Sequence, residues 1–435
     1  MMEIAVEITS RETIKPSSPT PDHLRHYRLS FLDQISPPVY NPFVLFYTPQ
    51  NEGDQSNIDD LSSKLKASLS IILTHFYPLA GRLRGNVSIE CDDAGVPYSE
   101  AIVKCQVSEF TENPDPRELR NLVPFVLDAS DETTLGVQFN RFDCGGIAIG
   151  ICMSHKISDA LSLLTFINMW AAVCRGEEIL APPQFPSAEL FPPKNILGFE
   201  PSTGIIRDNI VSKRFIFKTD KIDNLKARYS KEMDLDRNRP PSRIEALSTF
   251  IWSRFAWSTR VYSEPSKKCI VLHAVNLRTK FDPPLPQYSF GNFYRVAVTS
   301  LQLDSGKECY GLVAKMRETL RGIDKGYVEK LRDGKEHLDF IKRSAEVYLK
   351  GQLLAMNFTS LCRFPVYESS FGWGNPTWVG SPALTFQNLV VFMDTKSGDG
   401  VETYISLRVE DMAALESDEE FMEFVISPGK EHISE

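Results

Sequence analysis

Two residues whose types and spacing allow chemistry stand near the first third of the chain. His155 and Asp159 lie four apart, where the apolar stretch 147–153 gives way to a second apolar stretch, 161–173. An imidazole titrates close to neutral pH, and beside a carboxylate it serves as a general base. A short corner between two rigid elements holds such a side chain while the chain end opens to a cavity. If one helix includes both residues, positions i and i+4 share a face. If they lie in the corner itself, Asp159 faces away and anchors the turn. The spacing alone leaves both arrangements open.

The remaining chemistry is thinner. His75, on an apolar helix pattern, and His273, inside a strand pattern, read as packed structural residues, and His23, His26, His337 and His432 read as solvated. There is no G-x-S-x-G nucleophile elbow, no G-x-x-x-x-G-K-[ST] phosphate loop, no G-x-G-x-x-G turn and no H-E-x-x-H helix. Ser370-Phe371-Gly372-Trp373-Gly374-Asn375-Pro376 sets two glycines around a tryptophan, which gives either a rigid loop of close backbone approach or a packed structural turn. Val275-Asn276-Leu277-Arg278 is a strand pattern running into one arginine.

The elements that must position these residues can be read from periodicity. Leu61, Leu65, Leu69, Ile72, Leu73 and Phe76 recur at spacings of three and four, predicting a helix over 59–77 that stops at Pro78. Residues 133–142 and 147–153 read as strands joined by the turn Asp143-Cys144-Gly145-Gly146, and 159–174 as a buried helix ended by Gly176. Six prolines between Pro182 and Pro201 predict an extended surface linker. Beyond it, 213–218, 268–277 and 293–303 read as strands. Ser242 and Glu245 form a capping box before a helical pattern at 246–261. Patterns at 308–322, 328–349 and 411–425 are helical, and 389–394 with 401–407 reads as a hairpin. Strands and helices mix without regular alternation, so the fold class is α/β, two domains with mixed β-sheets flanked by helices.

Composition agrees with that size. A chain of 435 residues exceeds one ordinary core, and two domains of roughly 200 residues are expected. Apolar residues make up 42% and charged residues 24%, which excludes disorder and coiled coil as global readings. The net charge of −9 shows no basic excess, so a nucleic-acid partner is not expected. Eight cysteines without a C-x-x-C pair point to reduced, mostly buried thiols rather than zinc or a disulfide framework, and no metal is expected. The start carries no signal-peptide pattern, no apolar run spans a membrane, and the end matches no targeting address; the expectation is a cytoplasmic monomer that does not bind membranes.

Taken in order, the motifs resemble those of the plant BAHD acyltransferases. His155-Lys156-Ile157-Ser158-Asp159 matches the family's HxxxD motif, and Ser370-Phe371-Gly372-Trp373-Gly374 matches its DFGWG motif except at Ser370. Supporting segments run from Ile14 to Thr395: 14–21, Leu32-Asp33-Gln34, 76–82, Phe142 to Gly146, Asn276-Leu277-Arg278, Phe290-Gly291-Asn292 and Asp394-Thr395. The flavour is that of the alkaloid and aliphatic-alcohol branch. The resemblance implies a chloramphenicol acetyltransferase-like fold with an active-site channel at the domain interface. Domain one would be 1–181, joined by a crossover segment at about 371–391; 182–205 would be the linker and 206–435 the second domain.

The resemblance also implies the chemistry. His155 would be the general base of a direct, ternary-complex transfer from acyl-CoA, the co-substrate, to a hydroxyl of a specialised metabolite. No bound cofactor is implied. Asp159 would be an orienting residue paired with Arg278. Thr359, in Thr359-Ser360-Leu361, and Trp373 would contact the acyl group or the oxyanion, and Leu361 departs from a common tryptophan. Ser242 and Arg243 would meet the CoA phosphates. Ser370, Gly372 and Gly374 would support the loop, with Glu368 as a substitute for the missing carboxylate. An acetyl or other short aliphatic donor is expected; hydroxycinnamoyl or benzoyl donors, a thioesterase and a non-catalytic ligand-binding relative are the alternatives.

Overall fold

The computed structural model describes residues 4–48, 58–112, 114–128, 131–197, 199–201, 209–231, 239–261, 268–301, 311–384 and 386–426. Gly198 and residues 202–205 of the expected linker, Thr385 of the expected crossover, 302–303 and 308–310 of two predicted elements, Cys309 and His432 lie outside them. The strands are β1 (Val6–Ile14), β2 (His26–Arg28), β3 (Tyr40–Tyr47), β4 (Arg82–Arg84), β5 (Ser88–Glu90), β6 (Val96–Val103), β7 (Leu135–Phe142), β8 (Ile147–Ser154), β9 (Ile210–Lys218), β10 (Lys268–Asn276), β11 (Tyr294–Leu301), β12 (Leu353–Ser360), β13 (Trp378–Gly380), β14 (Leu389–Asp394) and β15 (Gly400–Arg408). The helices are α1 (Phe31–Ile35), α2 (Ile58–His75), α3 (Val107–Thr111), α4 (Ala160–Cys174), α5 (Ser187–Leu190), α6 (Thr219–Lys231), α7 (Arg243–Ser258), α8 (Leu312–Arg321), α9 (Lys325–Asp333), α10 (Lys335–Leu349), α11 (Val409–Glu416) and α12 (Glu419–Phe424).

Two compact units share these elements. The first holds Met1–Ser202, Leu285–Phe293 and Phe364–Leu384; the second holds Thr203–Pro284, Tyr294–Arg363 and Thr385–Glu435. Each is α/β with a mixed six-stranded sheet, which is the expected fold class. The first sheet runs β1-β6-β7-β8-β3-β13, antiparallel except for the β6–β7 pair. Its last strand comes from the distant segment 364–384, with Trp378 opposite Phe46 and Gly380 opposite Val44. The second sheet runs β11-β10-β12-β14-β15-β9, with parallel pairs at β10–β12 and β12–β14.

β7 and β8 form where branched and aromatic residues crowd a segment closed by the Asp143–Gly146 turn, in which Gly145 takes a φ of 78°. All eight residues of β8 are buried. Its centre has no room for a side chain, since a Cβ on Gly150 would lie 1.8 Å from the Leu122 carbonyl oxygen. α4 is apolar on nearly every face and packs beside α2, where the Trp170 indole N–H donates to Ser68 Oγ at 3.0 Å. The second unit's core gathers Phe215, Phe217, Phe250, Trp252, Phe358 and Phe392 between its sheet and α7.

The structure corrects several readings. The helix expected over 328–349 is broken by Gly334, which takes a left-handed φ of 71° and ends α9 as α10 begins. The helix expected over 411–425 is broken by Asp418, whose side chain accepts from Phe421 N–H and starts α12. The proline-rich stretch is not wholly extended: it contains α5, and Phe191 is fully buried while Phe185 packs edge-on to Phe290 at 5.6 Å. Its aromatic residues draw it against the first unit. His75 is exposed, on the same face as exposed Ile71 four residues earlier, so it is not a core histidine. No helix of the described residues is long and apolar enough to cross a membrane.

Candidate active site

β8 ends in a corner that holds His155 by its main chain. The His155 N–H donates to the Val39 carbonyl at 2.8 Å, and its carbonyl accepts from Asn292 Nδ2 at 2.8 Å. The ring Nδ1 lies 2.9 Å from the Ser158 carbonyl oxygen. A carbonyl can only accept, so Nδ1 carries the hydrogen and Nε2 the lone pair. Asn41 Nδ2 donates to the same Ser158 oxygen at 3.3 Å and fixes the acceptor in turn. Burial holds the imidazole pKa below 6.5, outweighing the Ser158 bond and the Asp159 charge, which both push it up. The ring is therefore neutral at pH 7, while the residue as a whole keeps intermediate exposure.

Asp159 is buried and anchors the corner. Its Oδ1 accepts from Ser162 N–H at 2.9 Å, which caps α4, and its Oδ2 accepts from Phe293 N–H at 2.9 Å. Its own N–H reaches the Gly291 carbonyl at 3.4 Å. Nδ1 of His155 is taken by Ser158, so these bonds are not those of a carboxylate–imidazole relay. Arg278, in the second unit, is 2% exposed, and its backbone N–H donates to Asn276 Oδ1 at 3.0 Å.

The tryptophan loop belongs to the first unit. Gly372 and Gly374 take φ of 108° and 100°, where a side chain is strained. Trp373 stacks on Phe371 with centroids 5.7 Å apart and meets Tyr47 edge-on at 6.1 Å, while Phe371 meets Trp170 edge-on at 4.9 Å. The Tyr47 hydroxyl donates to the Ser369 carbonyl at 2.7 Å. The Arg175 guanidinium, at the end of α4, donates to the Ser370 carbonyl and pairs with Glu177 at 2.7 Å. The carboxylate of Glu177, just beyond the end of α4, thus attends the arginine beside Ser370.

Thr359, Ser242 and Arg243 lie in the second unit. Thr359 pairs with Val391 across β12 and β14 and points away from the core face that Met356 and Phe358 occupy. Ser242 Oγ is occupied as the α7 cap, accepting from Glu245 N–H at 3.2 Å, and Arg243 pairs with Asp394 at 3.0 Å. His273 is a core residue, with Nε2 3.0 Å from Ser248 Oγ, its ring stacked on Phe358 and its pKa pushed down to about 4 by burial. His337 is not fully solvated, because it is half-buried and its Nε2 accepts from Arg295. No group of His, Cys, Asp or Glu among the described residues is arranged to hold a metal ion.

Sequence reasoning assigned no role to Asp33, Lys156 or Asn292, yet all three touch or flank the corner. The available signals were an acid set in the apolar run Phe31-Leu32-Asp33-Gln34-Ile35 three residues after Ser30, and the Gly291-Asn292 pair between two phenylalanines.

A model of the transferase family matches residues 4–422. Stemmadenine O-acetyltransferase of Catharanthus roseus is 38% identical over 424 residues, covering 95% of this chain and 96% of that one. Vinorine synthase of Rauvolfia serpentina is 38% identical over 421 residues, covering 94% and 96%. The vinorine synthase crystal structure superposes with a TM-score of 0.83, covering 98% of this chain and 99% of that one at 35% identity. F. graminearum TRI101, solved with coenzyme A and T-2 mycotoxin, shares the fold at a TM-score of 0.74 and 16% identity, covering 93% and 100%.

Proposed function

The chain belongs to the BAHD transferase family and is an acyl-CoA-dependent acyltransferase acting on a small acceptor, and from that premise we propose that it moves an acetyl or other short aliphatic acyl group to a hydroxyl of a plant specialised metabolite with His155 as general base. Nε2 takes the hydroxyl proton as the oxygen bonds to the thioester carbon. The carbonyl electrons move onto oxygen, giving a tetrahedral oxyanion. Its collapse breaks the C–S bond, and the departing thiolate takes the proton back from the imidazolium. Ester and free CoA thiol result, the imidazole is again neutral, and no acyl-enzyme forms.

The observation that carries this reading is the Nδ1 bond to the Ser158 carbonyl, because it presents the basic nitrogen in the required tautomer. A positioned base contributes about 10²–10⁴-fold; the rest comes from juxtaposing the reactants and stabilising the oxyanion. On this reading Asp159 orients the corner with the support of Arg278, Thr359 and Trp373 meet the acyl group or oxyanion, and Ser242 and Arg243 meet the CoA phosphates. The same reading takes 1–181, joined by the crossover segment at about 371–391, as one acyltransferase domain and the rest of 206–435 as the other, in a cytoplasmic monomer that needs no bound cofactor. The relative named as an O-acetyltransferase supports the choice of donor and nucleophile.

The test follows CoA thiol release by the purified protein with a panel of acyl-CoAs, with and without plant alcohols, and identifies products by mass spectrometry. An ester whose formation His155→Ala abolishes, with the variant's melting temperature retained, is the expected result. Release that ignores the alcohol would make the protein a thioesterase. No release with any pair would leave a ligand-binding relative.

A further inference from the structure

We propose that Asp33, acting through Asn292, is a positioning residue for His155: the two form a buried clasp that grips the catalytic corner by the His155 carbonyl. The inference rests on the role given to His155 above.

Asn292 and Asp33 are both fully buried. One face of the clasp is the Asn292 amide, whose Nδ2 lies 2.8 Å from Asp33 Oδ1 and 2.8 Å from the His155 carbonyl oxygen. An amide nitrogen has two hydrogens, so the carboxylate and the carbonyl use both of its donors. The Asn292 backbone N–H also donates to Asp33 Oδ1, at 3.3 Å. The other face is α1: Asp33 Oδ2 accepts from the Ser30 N–H at 2.8 Å and from its Oγ at 2.6 Å. Asp33 is thus fixed on both oxygens and hands that fixity to Asn292.

The neighbours of Asn292 stitch to the same corner. Gly291 exchanges bonds with the Ser162 hydroxyl at 2.8 and 3.0 Å, and Phe293 N–H donates to Asp159. The ring of His155 hangs from a main chain gripped at its N–H by Val39 and at its carbonyl by Asn292, so removing the second grip frees the peptide plane that aims the imidazole.

Charge completes the clasp. Among the described residues, Tyr27 on β2 and Lys156 in the corner both feel the Asp33 charge, and Glu200 acts on Lys156. The Lys156 ammonium is buried and donates to the Gln34 and Ser36 carbonyls at 2.9 and 2.8 Å, at the end of α1. Ser30 N–H, Asn292 N–H and Asn292 Nδ2 all donate, and the two oxygens of Asp33 accept from all three.

The experiment compares wild type, Asn292→Ala, Asn292→Asp and the double variant Asp33→Asn/Asn292→Asp. It reads kcat, KM and melting temperature, and also the amide hydrogen exchange of the peptide carrying residues 155–159. Exchange needs no turnover, so it reports on the clasp even if the proposed transfer fails. Asn292→Ala is expected to speed that exchange about tenfold while β7 keeps its protection. It is also expected to lower kcat by up to about 10²-fold, the scale of a misplaced reacting group, with KM changed less than threefold. In Asn292→Asp two carboxylates repel, and stability falls. The double variant restores an amide–carboxylate pair and regains melting temperature. It has no donor for the His155 carbonyl, so exchange stays fast and kcat stays low. The proposal is overturned if the double variant recovers kcat together with stability, or if Asn292→Ala leaves exchange and kcat within twofold of wild type. Should Asn292→Ala fail to fold, the contrast between Asn292→Asp and the double variant decides alone.

Discussion

Replacing Asp159 by alanine removes two things at once, and the structure allows their sizes to be added. Oδ1 caps α4 through Ser162 N–H, and losing such a cap costs about 1 kcal/mol. Oδ2 satisfies the Phe293 N–H in a fully buried setting; leaving that donor without a partner costs roughly 1–3 kcal/mol. The sum is about 3 kcal/mol. For a unit of this size 1 kcal/mol moves the melting temperature by about 2–4 °C, so a fall of about 6–12 °C is expected. Asp159→Asn keeps an oxygen for the cap but can turn its NH₂ toward the Phe293 donor, so it should show at least half that loss. Differential scanning calorimetry at pH 7.5 is the assay, with acyl transfer measured well below the transition. Activity and melting temperature should fall together, because the residue that loses its anchor lies one helical turn's length of chain from the base. A stable alanine variant, within 2 °C of wild type, would refute the anchoring role.

Gly150→Ala places a Cβ 1.8 Å from the Leu122 carbonyl oxygen, so β8 must shift; a loss of about 3 kcal/mol is expected, and a soluble variant with an unchanged transition would contradict the packing. Ser370→Asp adds a carboxylate beside Arg175, which already pairs with Glu177; at a half-exposed site the effect should stay within about 1 kcal/mol and be neutral or stabilising, and a fall of more than 5 °C would show a loop rebuilt around the serine. Because burial lowers the His155 pKa below 6.5, the base stays neutral there, and kcat at pH 6.5 should exceed half its plateau; an acid limb with its midpoint above pH 7 would exclude this histidine as the base. Asp33 is pushed up from 3.8 to about 6 by burial, so its stability contribution is fully present below pH 3.8 and is lost as pH rises to 6. That loss amounts to about 3 kcal/mol; a wild-type stability difference from Asp33→Asn that is flat between pH 4 and 6 would refute it.

Much of the site could be read because its signals are local. A base between a buried strand and a buried helix, a capping aspartate and two glycines around a tryptophan each depend on a few consecutive residues, as does the Ser242–Glu245 box. Asp33 and Asn292 were legible as parts of two supporting segments, but their role was not, because it arises only when folding brings together residues 259 positions apart. β1 escaped for a different reason. Its residues Glu7, Ser10, Arg11 and Glu12 sit on an edge strand with little buried surface, so no apolar alternation marks it. The two helix breaks were missed because period alone does not register one glycine in a left-handed conformation or one aspartate acting as a start signal.

β13 carries a consequence for biosynthesis. The ribosome must emit Gly380 before β3 receives its outer neighbour, although β3 itself is made long before β13. Until then the nascent first sheet has a bare margin, with unused backbone groups beside Val44, Leu45 and Phe46. A product truncated before Phe364 keeps that margin for good and should be captured by chaperones or precipitate, so the first sheet closes on this side only in chains made through Gly380.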